Sequence, residues 1–284
     1  TSRNYINSKY SIIDCWLLID RVKSMVFLKT SSIERKIKSI IPLNLKKLIY
    51  WVLASSLLGY FLKCLKIKKN LFGGVFDLSN VSNNEAARIF LGLWESAEIR
   101  FSKRFANSKT IIELGSSVGV TLGVLANNRI DTKFICIEAS LKNYEKLIKL
   151  KKILPQKGNE YILLNKAVAY DVSHIHFEHT STEGSKITKD NMRSSKSEIV
   201  LAITLSEILN QNAFKGPYTL ITDIEGAESY IFFKDKIALK NCEKIIAELE
   251  NTSMHTVDEQ ISELDKMGFK ILEQYGNVFV MTKY

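Results

Sequence analysis

Thr110-Ile-Ile-Glu-Leu-Gly-Ser-Ser-Val-Gly-Val-Thr-Leu-Gly-Val-Leu125 reads as a strand, a glycine turn and a helix, in that order. The opening five residues carry the β-branched and apolar pattern of a buried strand, and an apolar helical run follows the glycines. Such a unit sets a ligand-binding turn at the carboxyl edge of a parallel sheet. Gly115 lets the backbone turn tightly and come close to a ligand, and Gly119 lets the start of the helix pack against the strand. A bare glycine turn also serves ordinary strand-to-helix connections. Two details set this one apart: the spacing is G-x-x-x-G rather than G-x-G-x-x-G, and an acid, Glu113, stands two residues before the first glycine. Roughly 20 residues on, Phe134-Ile-Cys-Ile-Glu138 ends a second strand in a carboxylate, the usual distance for an acid that holds a sugar diol. The plainer alternative for Glu138 is a helix-capping acid.

From Thr110 onward strands and helices alternate. Strands are expected at 110–114, 133–138, 161–165, 218–223, 243–249, 269–274 and 278–282, and helices near 118–127, 141–152 and 256–267. Tyr275-Gly-Asn277 is a turn, so the last two strands should form an antiparallel hairpin. The expected class is α/β, a mostly parallel seven-stranded sheet ending in that hairpin. Upstream, Ser82-Asn-Asn-Glu85 has the pattern of a helix cap. Ala86, Ile89, Phe90, Leu93, Trp94, Ala97 and Phe101 then line one face of a helix expected to pack across the sheet. Segment 170–204 reads as an insertion with a short strand at Ile175–Glu178 and a polar loop over 179–197. A polar loop this long is more often functional or mobile than inert.

Tyr218-Thr-Leu-Ile-Thr-Asp223-Ile-Glu225-Gly226-Ala-Glu228 is a buried strand running into D-x-E-G-x-E. Asn165-Lys-Ala167, Thr204-Leu-Ser-Glu-Ile-Leu209, Ile245-Ile-Ala-Glu248 and Leu264-Asp-Lys-Met-Gly268-Phe269 lie around it. In this order the motifs resemble the FkbM-type methyltransferase family, over residues 85–284. The acid-x-Gly-x-x-x-Gly turn and the acid after the next strand resemble motifs I and II of class I S-adenosylmethionine-dependent methyltransferases, a Rossmann-like fold. The resemblance implies a cofactor-binding domain over 76–284, with Gly115, Ser116, Ser117, Val118 and Gly119 around the methionine end of S-adenosyl-L-methionine. Glu113 would orient that turn, and Glu138 would accept hydrogen bonds from both ribose hydroxyls. Ala139 and Ser140 would lie beside the adenine, with Asn165 and Ala167 facing its edge.

Asp223 would meet the transferring methyl group, and alternation along the strand would point Glu225 the same way. One carboxylate could take the proton of an attacking hydroxyl while the other positions it. A carboxylate of ordinary pKa is a weak base for an alcohol, and works best if burial or a paired like charge raises its pKa. A divalent ion held by Asp223, Glu225 and Glu250 ranks below this direct base chemistry, so no metal is expected. The implied activity is O-methylation of a carbohydrate or glycoconjugate hydroxyl. A small natural product or a lipid as acceptor, or a non-catalytic membrane-associated cofactor-binding protein, are the alternatives.

Charge is unevenly spread along the chain. Residues 1–75 hold fourteen Lys/Arg against three Asp/Glu, whereas 76–284 hold 26 against 27. The basic excess lies outside the methyltransferase-like part, which argues against a nucleic-acid groove there. Residues 9–28 read as an amphipathic helix, and a second helical stretch opens at Pro42. Leu48 to Leu62 carry no charge and are flanked by Lys46, Lys47, Lys63, Lys66, Lys68 and Lys69. At about 1.5 Å per residue this run falls short of the ~30 Å hydrocarbon core. Two readings stand: peripheral contact of residues 1–70 with a membrane interface, or packing on the catalytic domain or a second subunit of a homo-oligomer. Cys15, Cys64, Cys136 and Cys242 are scattered, which points to a reducing compartment and a cytoplasmic site, at or near the inner membrane face. His174, His176 and His179 belong to a solvated hairpin rather than a metal site, and His255 is a candidate substrate contact or auxiliary base.

Overall fold

The computed structural model describes residues 56–68, 70, 73–178 and 197–283. The chain divides into two compact units, 1–55 and 56–284, and the described residues belong to the second. The helices expected at 9–28 and from Pro42, the start of the uncharged run at Leu48, and the loop 179–196 with His179 lie outside the described residues. The division expected near residue 75 concerns a segment largely outside them as well.

A seven-stranded sheet carries the fold. Its strands are β1 (Thr110–Leu114), β2 (Lys133–Ile137), β3 (Glu160–Leu164), β7 (Tyr218–Thr222), β8 (Cys242–Glu248), β9 (Phe269–Tyr275) and β10 (Val278–Lys283), in the spatial order β3-β2-β1-β7-β8-β10-β9. Pairing is parallel from β3 to β8, and β10 runs antiparallel to both β8 and β9. This is the α/β architecture with a reversed hairpin that the sequence pattern implies. Every residue of β1 and of β7 is buried, as expected for parallel strands covered on both faces.

Strand alternation sorts the buried side chains into two cores. Ile112, Leu114, Ile135, Leu220, Ile245 and Met281 face one side with Ile208, Phe232 and Leu264 from the covering helices α6 (Leu205–Gln211), α7 (Glu228–Lys234) and α8 (Val257–Lys266). Ile111, Phe134, Cys136, Ile221, Ile246 and Val280 face the other. There they meet Phe101, Leu122, Leu125, Leu147 and Leu150 of α3 (Ser96–Phe105), α4 (Val120–Asn128) and α5 (Leu141–Lys151).

One expected helix is two. The stripe from Ala86 to Phe101 is broken at Gly92, whose left-handed backbone (φ 67°) ends α2 (Asn83–Leu91) and returns its N–H to Arg88 and Ile89 carbonyls. The chain restarts at Ser96 after Glu95, itself at φ 43°. Apolar spacing continues across the break, so periodicity does not mark it; the glycine does. The insertion also holds more structure than expected. β6 (Ser197–Ile203) pairs with β4 (Ala167–Val168) in parallel and with β5 (His174–Glu178) in antiparallel register, making a second, three-stranded sheet.

Upstream, α1 (Ser56–Cys64) packs on α2 through Gly59. A Cβ added there would stand 1.7 Å from the Asn83 carbonyl oxygen. Gly59→Ala is therefore expected to lower stability by about 1–3 kcal/mol through overpacking, read as a lower urea midpoint at unchanged m-value. An unchanged midpoint would mean that α1 is not docked on α2 in solution.

Candidate active site

The loops after β1, β2 and β7 meet at the carboxyl edge of the sheet. The Ile137 carbonyl accepts from both Gly115 N–H and Ser116 N–H at 3.0 Å, and Asp223 N–H donates to the Leu114 carbonyl at 3.1 Å. Gly115 sits at φ 82°, and a Cβ there would lie 1.9 Å from the Asp223 carbonyl oxygen. The close approach that this glycine permits is thus to another loop of the chain. Gly119 (φ 81°) differs from expectation in its partner: a Cβ would strike Leu147 and Leu150 at 2.6 and 2.5 Å. It seats the start of α4 against α5, not against a strand. Between the glycines, Ser116 is buried with its hydroxyl on the Glu113 carbonyl at 3.3 Å, and Val118 is buried.

Ser117, at φ 48°, donates its N–H to Glu138 Oε2 at 2.7 Å. Glu138 Oε1 accepts from Ser140 N–H at 2.8 Å, next to the Ser140 side chain that caps α5. Glu138 therefore bridges the glycine turn and the following helix. Asn165 Nδ2 donates to the Glu138 and Ala139 carbonyls at 2.9 and 3.0 Å, bracing the loop that carries this acid. Ala167 is buried with Ile175 and Val200 in the small sheet, and Ala139 packs against that cluster.

The D-x-E-G-x-E segment corrects one geometric premise. β7 ends at Thr222, so Asp223 and Glu225 are loop residues, and Glu225 has a left-handed backbone at φ 56°. Strand alternation does not relate them. Glu225 is exposed and Asp223 half-buried, yet the Glu225 charge still reaches Asp223. The last acid of the motif has a bracing role: buried Glu228 accepts from the backbone N–H of Ile224 and, at 2.8 Å, of Gly226.

Two acids that the sequence reading passed over complete the site. Glu98 lies in the first turn of α3 and Glu95 immediately precedes that helix. β1 alternation puts Glu113 on the Ile111 side of the sheet, the side α3 covers. Glu98 is 5% exposed; its Oε1 accepts from Thr121 at 3.3 Å, and its Oε2 is buried without a hydrogen-bond partner. Glu95 accepts from the Trp94 indole N–H at 2.6 Å. Burial is the largest influence on Glu95 and raises its pKa, with Asp223, Glu113 and Glu248 adding to it. Glu98 is pushed well above the usual carboxylate range by burial, then by Glu95, Asp223 and Glu113. Burial raises Asp223, helped by Glu248, Glu225 and Glu250. Glu113 is lifted to about 7 by burial, against a Cys136 thiol that donates to it at 3.4 Å. Among the described residues no lysine or arginine is a leading influence on these four groups. The signal for Glu95 and Glu98 was an acid pair inside a stripe read as core.

His255 stacks on Phe233 with ring centroids 3.7 Å apart, and its Nδ1 is buried without a partner. His174 and His176 are exposed with an edge contact at 5.9 Å. Among the described residues no group of three His, Cys, Asp or Glu side chains could hold a metal ion.

No protein-family model matches this chain, and no curated protein matches it in sequence. Among solved structures it is similar to magnesium protoporphyrin IX methyltransferase (ChlM) from Synechocystis PCC 6803 with bound SAM. Identity is 12% and the TM-score 0.38, over 71% of this chain and 83% of that one. It is also similar to a putative RNA methyltransferase, PH1948 from Pyrococcus horikoshii, at 11% identity and a TM-score of 0.37, over 79% and 98%. A third is the N-terminal domain of EvdMO1 with SAH bound, at 11% identity and a TM-score of 0.36, over 66% and 80%. Likenesses this distant carry no argument about the site, and the fold stands on its own strand order.

The raised carboxyls make stability depend on pH. Glu113 titrates at about 7 and Glu228 at about 8 in the fold, both lifted first by burial. In the unfolded chain a glutamate titrates near ~4.3. The contribution is complete below that value. It falls as pH rises through 7–8, because the unfolded chain has already released protons that the fold still holds. The lowered acids Glu85, Glu207, Glu259 and Glu263 act with opposite sign, but only below the ordinary carboxylate range. The thermal midpoint of the ligand-free protein should therefore be higher at about pH 5.5 than at about pH 8.5. A midpoint that climbs over that interval contradicts the burial of these acids.

Proposed function

We propose that this chain is an S-adenosylmethionine-dependent methyltransferase of the FkbM type that methylates a hydroxyl of a carbohydrate or glycoconjugate. The observation that carries the reading is the carboxylate cluster beside the glycine turn, with the Glu98 oxygen unpartnered at its buried end. Buried acids without a compensating cation are costly unless a ligand brings positive charge. A cofactor with a sulfonium and an ammonium fits that donor set, whereas a dinucleotide phosphate does not. Gly115 to Gly119 and Glu113 would hold its methionine end, and Glu138 its ribose diol. Ala139, Ser140, Asn165 and Ala167 would form the adenine side.

When bound, the cofactor supplies an electrophilic methyl group on sulfur. Asp223 takes the proton of the acceptor hydroxyl, and its raised pKa makes it a better base than an ordinary carboxylate. Glu225, exposed on the turn that Glu228 braces, hydrogen-bonds the acceptor and sets its approach. Displacement at a methyl carbon depends on alignment, so the stiffness of this turn contributes to rate. The acceptor edge carries Glu225, Glu248 and Glu250, which repel phosphates and favour a neutral, hydroxyl-rich acceptor over a nucleic acid.

Calorimetry with S-adenosylmethionine and its neutral thioether product separates this reading from a relic fold. The sulfonium form should bind more tightly, with the preference growing from about pH 6 to about pH 8 as the acids ionise. Glu98→Gln should shrink that preference about ten-fold. Absence of binding by either molecule overturns the assignment.

For the chemistry, Asp223→Asn and Glu225→Gln should each lower turnover by about 10²–10⁴, with cofactor affinity retained in Glu225→Gln. Normal turnover in both variants removes Asp223 and Glu225 from the mechanism. Loss of an O-methyl sugar from the glycans of a deletion strain would favour the carbohydrate acceptor over a small natural product or lipid.

A further inference from the structure

We infer that the outward face of α1 is a docking surface for an anionic phospholipid bilayer. α1 buries only Gly59 and Leu62. Leu57, Tyr60, Phe61 and Leu65 stand 63%, 55%, 55% and 51% exposed, at the i, i+3, i+4, i+8 spacing of one helix face. Lys63 turns inward to the Val81 carbonyl, while Lys66 and Lys68 are exposed beside the apolar face. Two leucines and two aromatics rimmed by lysines have the composition of a helix lying in a lipid interface.

Charge singles out this occupant. Residues 1–75, which include α1, hold fourteen basic and three acidic residues, against a near-neutral remainder. On the described face Lys66 and Lys68 supply the positive charge that an anionic surface attracts. A bilayer needs only the apolar side chains and the lysines that flank them. Among the described residues no helix is long and apolar enough to cross a membrane. The surface is independent of the methyl-transfer reading.

Flotation of the whole chain with phosphatidylcholine vesicles, with and without phosphatidylglycerol, tests it. The protein should float with the anionic vesicles and stay behind with the neutral ones. Leu57→Glu/Phe61→Glu and, separately, Lys66→Glu/Lys68→Glu should each reduce flotation about ten-fold or more at an unchanged thermal midpoint. The lysine pair lies outside the helix and carries the test if the first variant does not fold. The inference is overturned if the wild-type chain does not float with anionic vesicles, or if the variants float equally well. A wild-type dimer that Leu57→Glu/Phe61→Glu converts to monomer, with no vesicle binding, assigns the face to a second copy and overturns it too.

Discussion

Two strand ends approach so closely that no side chain fits between them. Gly115 lies against the Asp223 carbonyl, Leu114 accepts the Asp223 amide, and Ile137 accepts two amides from the glycine turn. These are backbone contacts. Their geometry does not depend on whether a carboxyl is charged, so they hold the loops together where the side chains repel. Every acid of the candidate site, on the turn after β1, at the end of β2, after β7 or at the head of α3, is positioned relative to that junction.

The junction sets up an electrostatic conflict. Burial lifts Glu95, Glu98, Glu113 and Asp223 together, and other carboxylates of the same edge add to each. The start of α3 offsets a little of this, since a helix N-terminus favours a nearby carboxylate by about 0.3–1 kcal/mol. That is small beside the desolvation that burial imposes on these groups. Without a cation the cheaper solution is to retain protons, and a fold that does so is less stable than its packing alone would allow. Arrangements of this sort are expected where a site is kept ready for a charged ligand.

The sheet was legible because its strands are either continuous apolar runs or clean alternations. Thr110–Leu114 and Tyr218–Thr222 could be buried only between two layers, and Gly276 marked the hairpin. The positions of the glycine turn after β1 and of Glu138 just past β2 were legible from spacing alone. Three things were not. The Gly92 break was hidden because Ile89, Leu93 and Ala97 keep helical spacing across it. Glu95 and Glu98 were hidden for the same reason, since an acid within an apolar stripe looks like an edge residue until the strand beneath it is known. The relation of Glu225 to Asp223 depended on where the strand stops, and a single left-handed residue undoes any period-two argument. Periodicity alone did not mark strand β6, because its residues, Ser197-Glu-Ile-Val-Leu-Ala-Ile203, follow a polar loop and pair with elements outside the main sheet.

The acids at this edge divide by what their oxygens do. Glu138 gives both oxygens to backbone amides of Ser117 and Ser140, and Glu228 gives both to Ile224 and Gly226. Glu113 takes a thiol hydrogen from Cys136 across the β1–β2 pair. These three tie loops to strands, and replacing one would disturb the frame before it disturbed any ligand. Glu98 is different: one oxygen meets Thr121 and the other meets nothing although it is buried. A native fold rarely leaves a buried carboxylate oxygen unsatisfied without cause. Glu98 is therefore the acid at this edge whose second oxygen has no hydrogen-bond partner among the described residues, and its nearest charged influences are the other carboxylates Glu95, Asp223 and Glu113.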